Sequence, residues 1–172
     1  REACEVAIGY RFKDPLLLDR AMTHRSATQG KAVAWSNERL EFLGDRVLGL
    51  VIVEALLVRF PDLREGDLAP RLNALVSRDT CAIIGSDLGL GQYLIVDHSE
   101  RATGGPTKRS LLANAAEAVI GAVYLDGGLK AAEKTVTATV VGNVRVTEVG
   151  QHAGSDYDTH HVVLDFGAMP FP

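Results

Sequence analysis

The stretch "NERLEFLGDRVLGLVIVEALLVRF", residues 37–60, decides the fold. Asn37 is a good helix N-cap, and Pro61 stops a helix that runs to Phe60. From Val47 to Val53 the segment is an unbroken apolar run that asks for burial. Just before that run stand Glu38, Glu41 and Asp45. At about 100° per residue these three acids fall within about 60° of one another. Leu48, Ile52 and Ala55 continue the same stripe, so the acids form the wet end of a face that is otherwise buried. Three stacked carboxylates repel by a few tenths of a kcal/mol per pair when exposed, and by more once desolvated.

The plainer account is first-turn acids that favour the helix dipole and pair with Arg39 or Arg46. It fits poorly, because Arg39 points off the stripe and Asp45 lies inside the apolar section. A hard divalent cation is the other standard remedy for clustered carboxylates. A second segment repeats the anomaly. "LLANAAEAVIGAVYLDGG" (111–128) reads as a buried helix closed by Gly127 and Gly128. It carries Asn114 and Glu117 on one face, lined by the small residues Ser110, Ala118 and Gly121. If the two helices pack together, their oxygen donors form one site. Without Cys or His in the cluster, magnesium or manganese suits it better than zinc. Such a site serves metal-assisted phosphoryl chemistry.

Helix signals fill the chain up to about residue 140. "DPLLLDRAMTH" (14–24) has Asp14 as N-cap and Pro15 at the first helical position. Residues 27–36 read as a loop, 65–90 as one or two helices ending at Gly89 and Gly91, and 98–110 as a polar Gly/Pro-rich stretch. Beyond about residue 135 the texture changes. "VRVTEVGQHAGSDYDTHHVVLDF" (144–166) alternates like a β-hairpin. The expected architecture is an all-α domain at 1–135 with a short β-like tail at 136–172.

The bulk numbers agree with a globular domain. The chain has 172 residues, 47% hydrophobic and 23% charged, with a net charge of −4. Bulk charge gives no attraction for nucleic acid, so any such binding needs locally clustered Lys and Arg. Cys4 and Cys81 have no metal-type spacing and read as unpaired buried thiols of a cytoplasmic protein. No segment approaches the roughly 20 apolar residues of a membrane span, and no signal peptide opens the chain.

Taken together, the motifs are recognisable. "NERLEFLGDRVLGL" (37–50) resembles the signature of the ribonuclease III family. Around it, in matching order, stand "GYRFKDPLLLDRAMTHRS" (9–26), "FPDLREGDLAPRLNALVSRDTCA" (60–82), "GLGQYL" (89–94) and "GGPTKRSLLANAAEAVIGAVYLDGG" (104–128). The resemblance covers about residues 5–135. It implies an all-helical, magnesium-dependent nuclease domain that forms a homodimer and cuts double-stranded RNA, leaving 5′-phosphate and 3′-hydroxyl ends. Such enzymes process RNA precursors. By motif position, Glu41, Asp45 and Glu117 match the family's metal-binding and catalytic acids, with Asp45 and Glu117 the catalytic pair. Glu38 and Glu65 match acids linked to the cleavage site or the dimer.

Two departures stand out. Asn114 occupies a position where the family usually has Asp. Its amide oxygen can still ligate a hard cation, but it is neutral. That leaves an alternative: a catalytically weakened or inactive relative with a structural or RNA-binding role. The tail is the other departure. It faintly resembles the middle strands of a double-stranded-RNA-binding domain, without the flanking helices.

Lesser signals complete the reading. Lys108 and Arg109, in "TKRS" (107–110), are either a solvated loop or, as the resemblance favours, RNA phosphate contacts. Phe42 sits beside the acidic face. It belongs either to the subunit core or to a pocket on a second subunit. His24 reads as a helix-terminal hydrogen-bonding residue, and the tail histidines His152, His160 and His161 as surface polarity.

Overall fold

The computed structural model describes residues 1–28 and 35–138. Among these residues the regular structure is helical: α1 (Glu2–Ile8), α2 (Pro15–Ala21), α3 (Glu38–Arg59), α4 (Glu65–Leu75), α5 (Arg78–Asp87), α6 (His98–Ala102), α7 (Arg109–Gly127) and α8 (Leu129–Val136). The all-α reading holds for the described residues. The hairpin expected at 144–166 and its histidines lie outside them.

The local signals act largely where the sequence places them. Asp14 caps α2 by accepting from the Leu16 amide, with Pro15 at the first helical position. Helix α2 ends at Ala21, so His24 lies beyond it rather than at its terminus. Helix α3 ends at Arg59, one residue before Phe60. Segment 65–90 divides into two helices at Val76–Ser77, where the Ser77 hydroxyl accepts from the Thr80 amide and starts α5. Pro70 is tolerated inside α4, beyond its first turn. At the end of α7, Gly128 adopts φ 78° and donates to Tyr124 O at 2.8 Å.

Two expectations need correction. Asn37 stands at the N-cap position of α3 but makes no side-chain cap bond. It is buried, and its amide donates to Thr23 O at 2.9 Å. Stretch 98–110 is not all loop. The Asp97 carboxylate accepts from the Glu100 amide at 2.7 Å and starts the short helix α6.

The core forms where α3 and α7 cross. Leu40, Val47, Leu48, Val51, Ile52 and Leu56 of α3 meet Ala113, Ala116, Val119, Ile120 and Val123 of α7. Burying each large side chain contributes roughly 1.5–3 kcal/mol. Helix α5 packs on the other side of α7 through Cys81, Ala82 and Ile84.

The crossing is unusually close because glycines face it. A Cβ added at Gly44 would lie 1.7 Å from Glu117 O, and one at Gly121 would lie 2.2 Å from Leu40 O. No other residue lets the two backbones approach this far. The apolar run on α3 is not wholly buried. Leu50 is 54% exposed and Leu57 55%, and they share the outer side of the helix with Val53 and Val58.

Candidate functional site: an acidic cleft at the α3–α7 crossing

The glycine contact brings the two anomalous helix faces together. Glu38, Glu41 and Asp45 of α3 and Asn114 and Glu117 of α7 line one open cleft of about 720 Å³. Thus five residues singled out from the sequence meet in a single place. The first turn of α5 adds Arg78, and the segment after α2 adds His24 and Arg25. That segment is held by backbone bonds. The His24 amide donates to Ile95 O at 2.9 Å, and the Ile95 amide donates to Met22 O at 2.8 Å. His24 Nδ1 lies 3.0 Å from Ser26 Oγ, which fixes the ring at the rim.

Burial and charge act together on the acids. Desolvation raises the Glu117 carboxyl to about 7, and the negative charges of Asp45 and Glu41 add to the shift. Glu41 is also raised, first by desolvation and then by Glu38 and Asp45. Arg78 opposes the rise at Glu41 more than Glu38 or Asp45 adds to it, and at Glu117 the Cys81 hydrogen bond and then Arg78 oppose it. The Cys81 thiol is pushed up to about 12 by burial and by Glu117 beside it, so it is an inert neutral neighbour.

The donor chemistry of this cleft fits a hard divalent cation. The facing groups are oxygens, and burial together with their mutual repulsion raises the Glu41 and Glu117 carboxyls. As the side chains stand, no three Asp, Glu, His or Cys groups among the described residues converge tightly enough to hold an ion. Arginines account for part of that. Asp45 pairs with Arg46, Glu38 with Arg25 at 3.7 Å, and Asn114 Oδ1 accepts from Arg78 Nη2 at 3.5 Å.

The other sequence candidates lie elsewhere. Glu65 borders a second, apolar groove formed by Val53, Leu56, Leu57, Leu63, Leu68 and Leu72. Lys108 is held by Glu100 Oε1 at 2.5 Å and Thr103 Oγ1 at 3.0 Å, and Arg109 by Asp79 at 2.9 Å. Neither lines the acidic cleft. Phe42 is 70% exposed, with the Arg46 guanidinium 5.6 Å from its ring centre. It is therefore not part of the subunit core. Arg78 escaped the sequence reading. It is a lone arginine in another helix, and nothing in its spacing links it to the acids.

Fold and cleft together define a helical domain that presents carboxylates at a tight crossing of two buried helices. The Ribonuclease-III-like family model matches residues 14–144. The chain is 53% identical over 130 residues to Ribonuclease 3 of Caulobacter vibrioides, a match covering 76% of this chain and 56% of that protein. It is 54% identical over 130 residues to Ribonuclease 3 of Dinoroseobacter shibae, covering 75% and 56%. A crystal structure of the nuclease domain of ribonuclease III from Campylobacter jejuni superposes with a TM-score of 0.79 at 38% identity, covering 86% of this chain and 97% of that one. A second structure of that domain, described for flexibility in a region involved in dimer formation, gives 0.78 at 39%, covering 83% and 96%. The chain belongs to the ribonuclease III family. It spans just over half the length of the curated relatives it matches. No described helix is long and apolar enough to cross a membrane.

Proposed function

We propose that the chain is a cytoplasmic, magnesium-dependent endoribonuclease that hydrolyses double-stranded RNA in the processing of RNA precursors. The observation that carries this reading is the meeting of Glu41, Asp45, Asn114 and Glu117 in one cleft. Asp45 and Glu117 are the catalytic pair, and Glu41 and Asn114 complete the oxygen donors for Mg2+, with Mn2+ as a substitute. The bound ion supplies an activated water and neutralises phosphate charge. The chain's own part is to hold the backbones that carry these donors close together at the α3–α7 crossing. In the reaction, water oxygen joins phosphorus, the bond to the 3′ oxygen breaks, and a proton passes to that oxygen. The products carry 5′-phosphate and 3′-hydroxyl ends.

A duplex has two strands, so two sites at a fixed separation are needed to cut both. The exposed Phe42, Leu50 and Leu57 on α3 give a homodimer its apolar contact, with Glu65 at the edge of the neighbouring groove. Residues 1–135 form the nuclease unit in this reading. The tail at 136–172, described only as far as residue 138, resembles in its sequence alone part of a double-stranded-RNA-binding domain. Lys108 and Arg109 reach RNA phosphate only by exchanging their present partners for it.

The test is cleavage of a long RNA duplex by the full chain in magnesium, with end-group analysis. Asp45→Ala and Glu117→Ala are expected to abolish cutting while helical content survives. Near wild-type cleavage by either variant overturns the site assignment. A second reading, a relative that binds duplex without cutting it, is favoured by the neutral Asn114. Duplex retained but uncut at every magnesium concentration would establish that reading instead.

A further inference from the structure

Arg78 is the first residue of α5, where the helix dipole disfavours a positive charge. It is exposed, yet it lines the acidic cleft with Glu41, Asp45, Asn114 and Glu117. The other cleft arginine, Arg25, is engaged by Glu38 at 3.7 Å. The polar side-chain contact made by Arg78 is with a neutral group, the Asn114 amide oxygen, at 3.5 Å and so at the outer limit of a hydrogen bond. Among the described residues, this guanidinium thus faces the acids without a salt bridge to any carboxylate.

We propose that Arg78 is a built-in counter-cation of the cleft that competes with the divalent ion at the Asn114 corner and sets the ion concentration the site requires. This inference rests on the metal-dependent reading above. Arg78 and the ion are both positive and draw on the same donors, so each weakens the other's hold. A carboxylate at position 114 would form an ion pair with Arg78. The amide leaves the arginine loosely held, so that the ion can displace it. Asn114 and Arg78 therefore act as one device, and the effect of changing either depends on the other.

Across a solvent-filled cleft, one unit charge is worth about five- to tenfold in the affinity of a divalent ion. The experiment is calorimetric titration of magnesium chloride into the full chain without RNA. Arg78→Gln is expected to bind magnesium about five- to tenfold more tightly than wild type. Arg78→Lys keeps the charge and is expected to stay within about twofold of wild type, by the same charge argument. Asn114→Asp is expected to improve binding more in the Arg78→Gln background than alone, because wild-type Arg78 neutralises the new carboxylate. Affinity unchanged or weakened in Arg78→Gln overturns this inference alone, provided that wild type binds magnesium. If no protein in the set binds magnesium, the metal-dependent function falls and this inference falls with it.

Discussion

Gly44→Ala puts a methyl group at the place where α3 and α7 touch. The added carbon would lie 1.7 Å from Glu117 O, 2.6 Å from Glu117 C and 2.9 Å from Gly121 N. All three are backbone atoms, so no rotamer change relieves the clash. Ordinary contact requires the helices to part locally by roughly 1.5 Å. Overpacking a rigid core costs about 1–3 kcal/mol, and a backbone collision belongs at or above the upper end. Alanine's better helix propensity returns about 1 kcal/mol. The net expectation is a loss of about 2–4 kcal/mol.

Gly49 provides the control, since it lies on the same helix with nothing within 4 Å of its added carbon. Gly49→Ala is expected to stabilise by about 0.5–1 kcal/mol. Equilibrium urea unfolding followed by circular dichroism reads both changes as shifts in midpoint at constant slope. Magnesium titration provides a second measure, because parting the helices separates Asp45 from Glu117. If Gly44→Ala is as stable as Gly49→Ala, the close crossing is not what holds the acids together.

Three further outcomes are expected. The raised Glu117 carboxyl makes its neutral form the one the fold prefers, so its contribution is complete below about 4.5 and is lost as pH rises towards about 7. In metal-free buffer, Glu117→Gln should therefore gain on wild type across that window by on the order of 1–2 kcal/mol, discounted for solvent access; parallel stability–pH curves would refute the assignment. Phe42→Ala should shift the chain towards monomer at micromolar concentration with helical content kept, since truncating an interface aromatic often costs about 2 kcal/mol or more. Light scattering over a dilution series reads this, and a variant that remains dimeric removes Phe42 from the interface. Asp126 accepts from Tyr10 Oη and from the Lys13 and Asp14 amides, tying the chain ahead of α2 to the end of α7. Asp126→Ala should cost about 1–3 kcal/mol in denaturant unfolding, and no measurable loss would mean these bonds are exchanged for water without penalty.

Much of this molecule is legible in its sequence because its anomalies are chemical. Glu38, Glu41 and Asp45 break an apolar pattern, and so do Asn114 and Glu117. A carboxylate in a buried stripe is informative where a leucine is not. The helix limits at Asp14 and Gly128 follow from capping and turn chemistry that acts within a few residues. What could not be read depends on distance in the chain. Gly44 and Gly121 look like mild helix weakeners until their facing backbones are known. Arg78 reaches the cleft only because α5 lies against α7. The run at Val47–Val53 misleads in a different way. An exposed apolar helix face uses the same residue types as a core, so exposure of Leu50 and Val53 leaves no mark in the sequence.

The placement of the acids explains why the domain tolerates their cost. A cluster of like charges is cheapest on a mobile, solvated surface, where side chains can move apart. Here the charges stand beside the close approach of two helix backbones, and burial raises one carboxyl to about 7. Spreading them out would relieve the repulsion, and under the metal-dependent reading proposed above it would also disperse the oxygens that a divalent ion would draw on. The glycine contact prevents the backbone from relaxing. Arg25, Arg46 and Arg78 instead offset part of the repulsion through exposed side chains that can swing aside. Carboxylates carried on a closely packed backbone, with movable counter-charges beside them, keep the repulsion in the cleft tolerable.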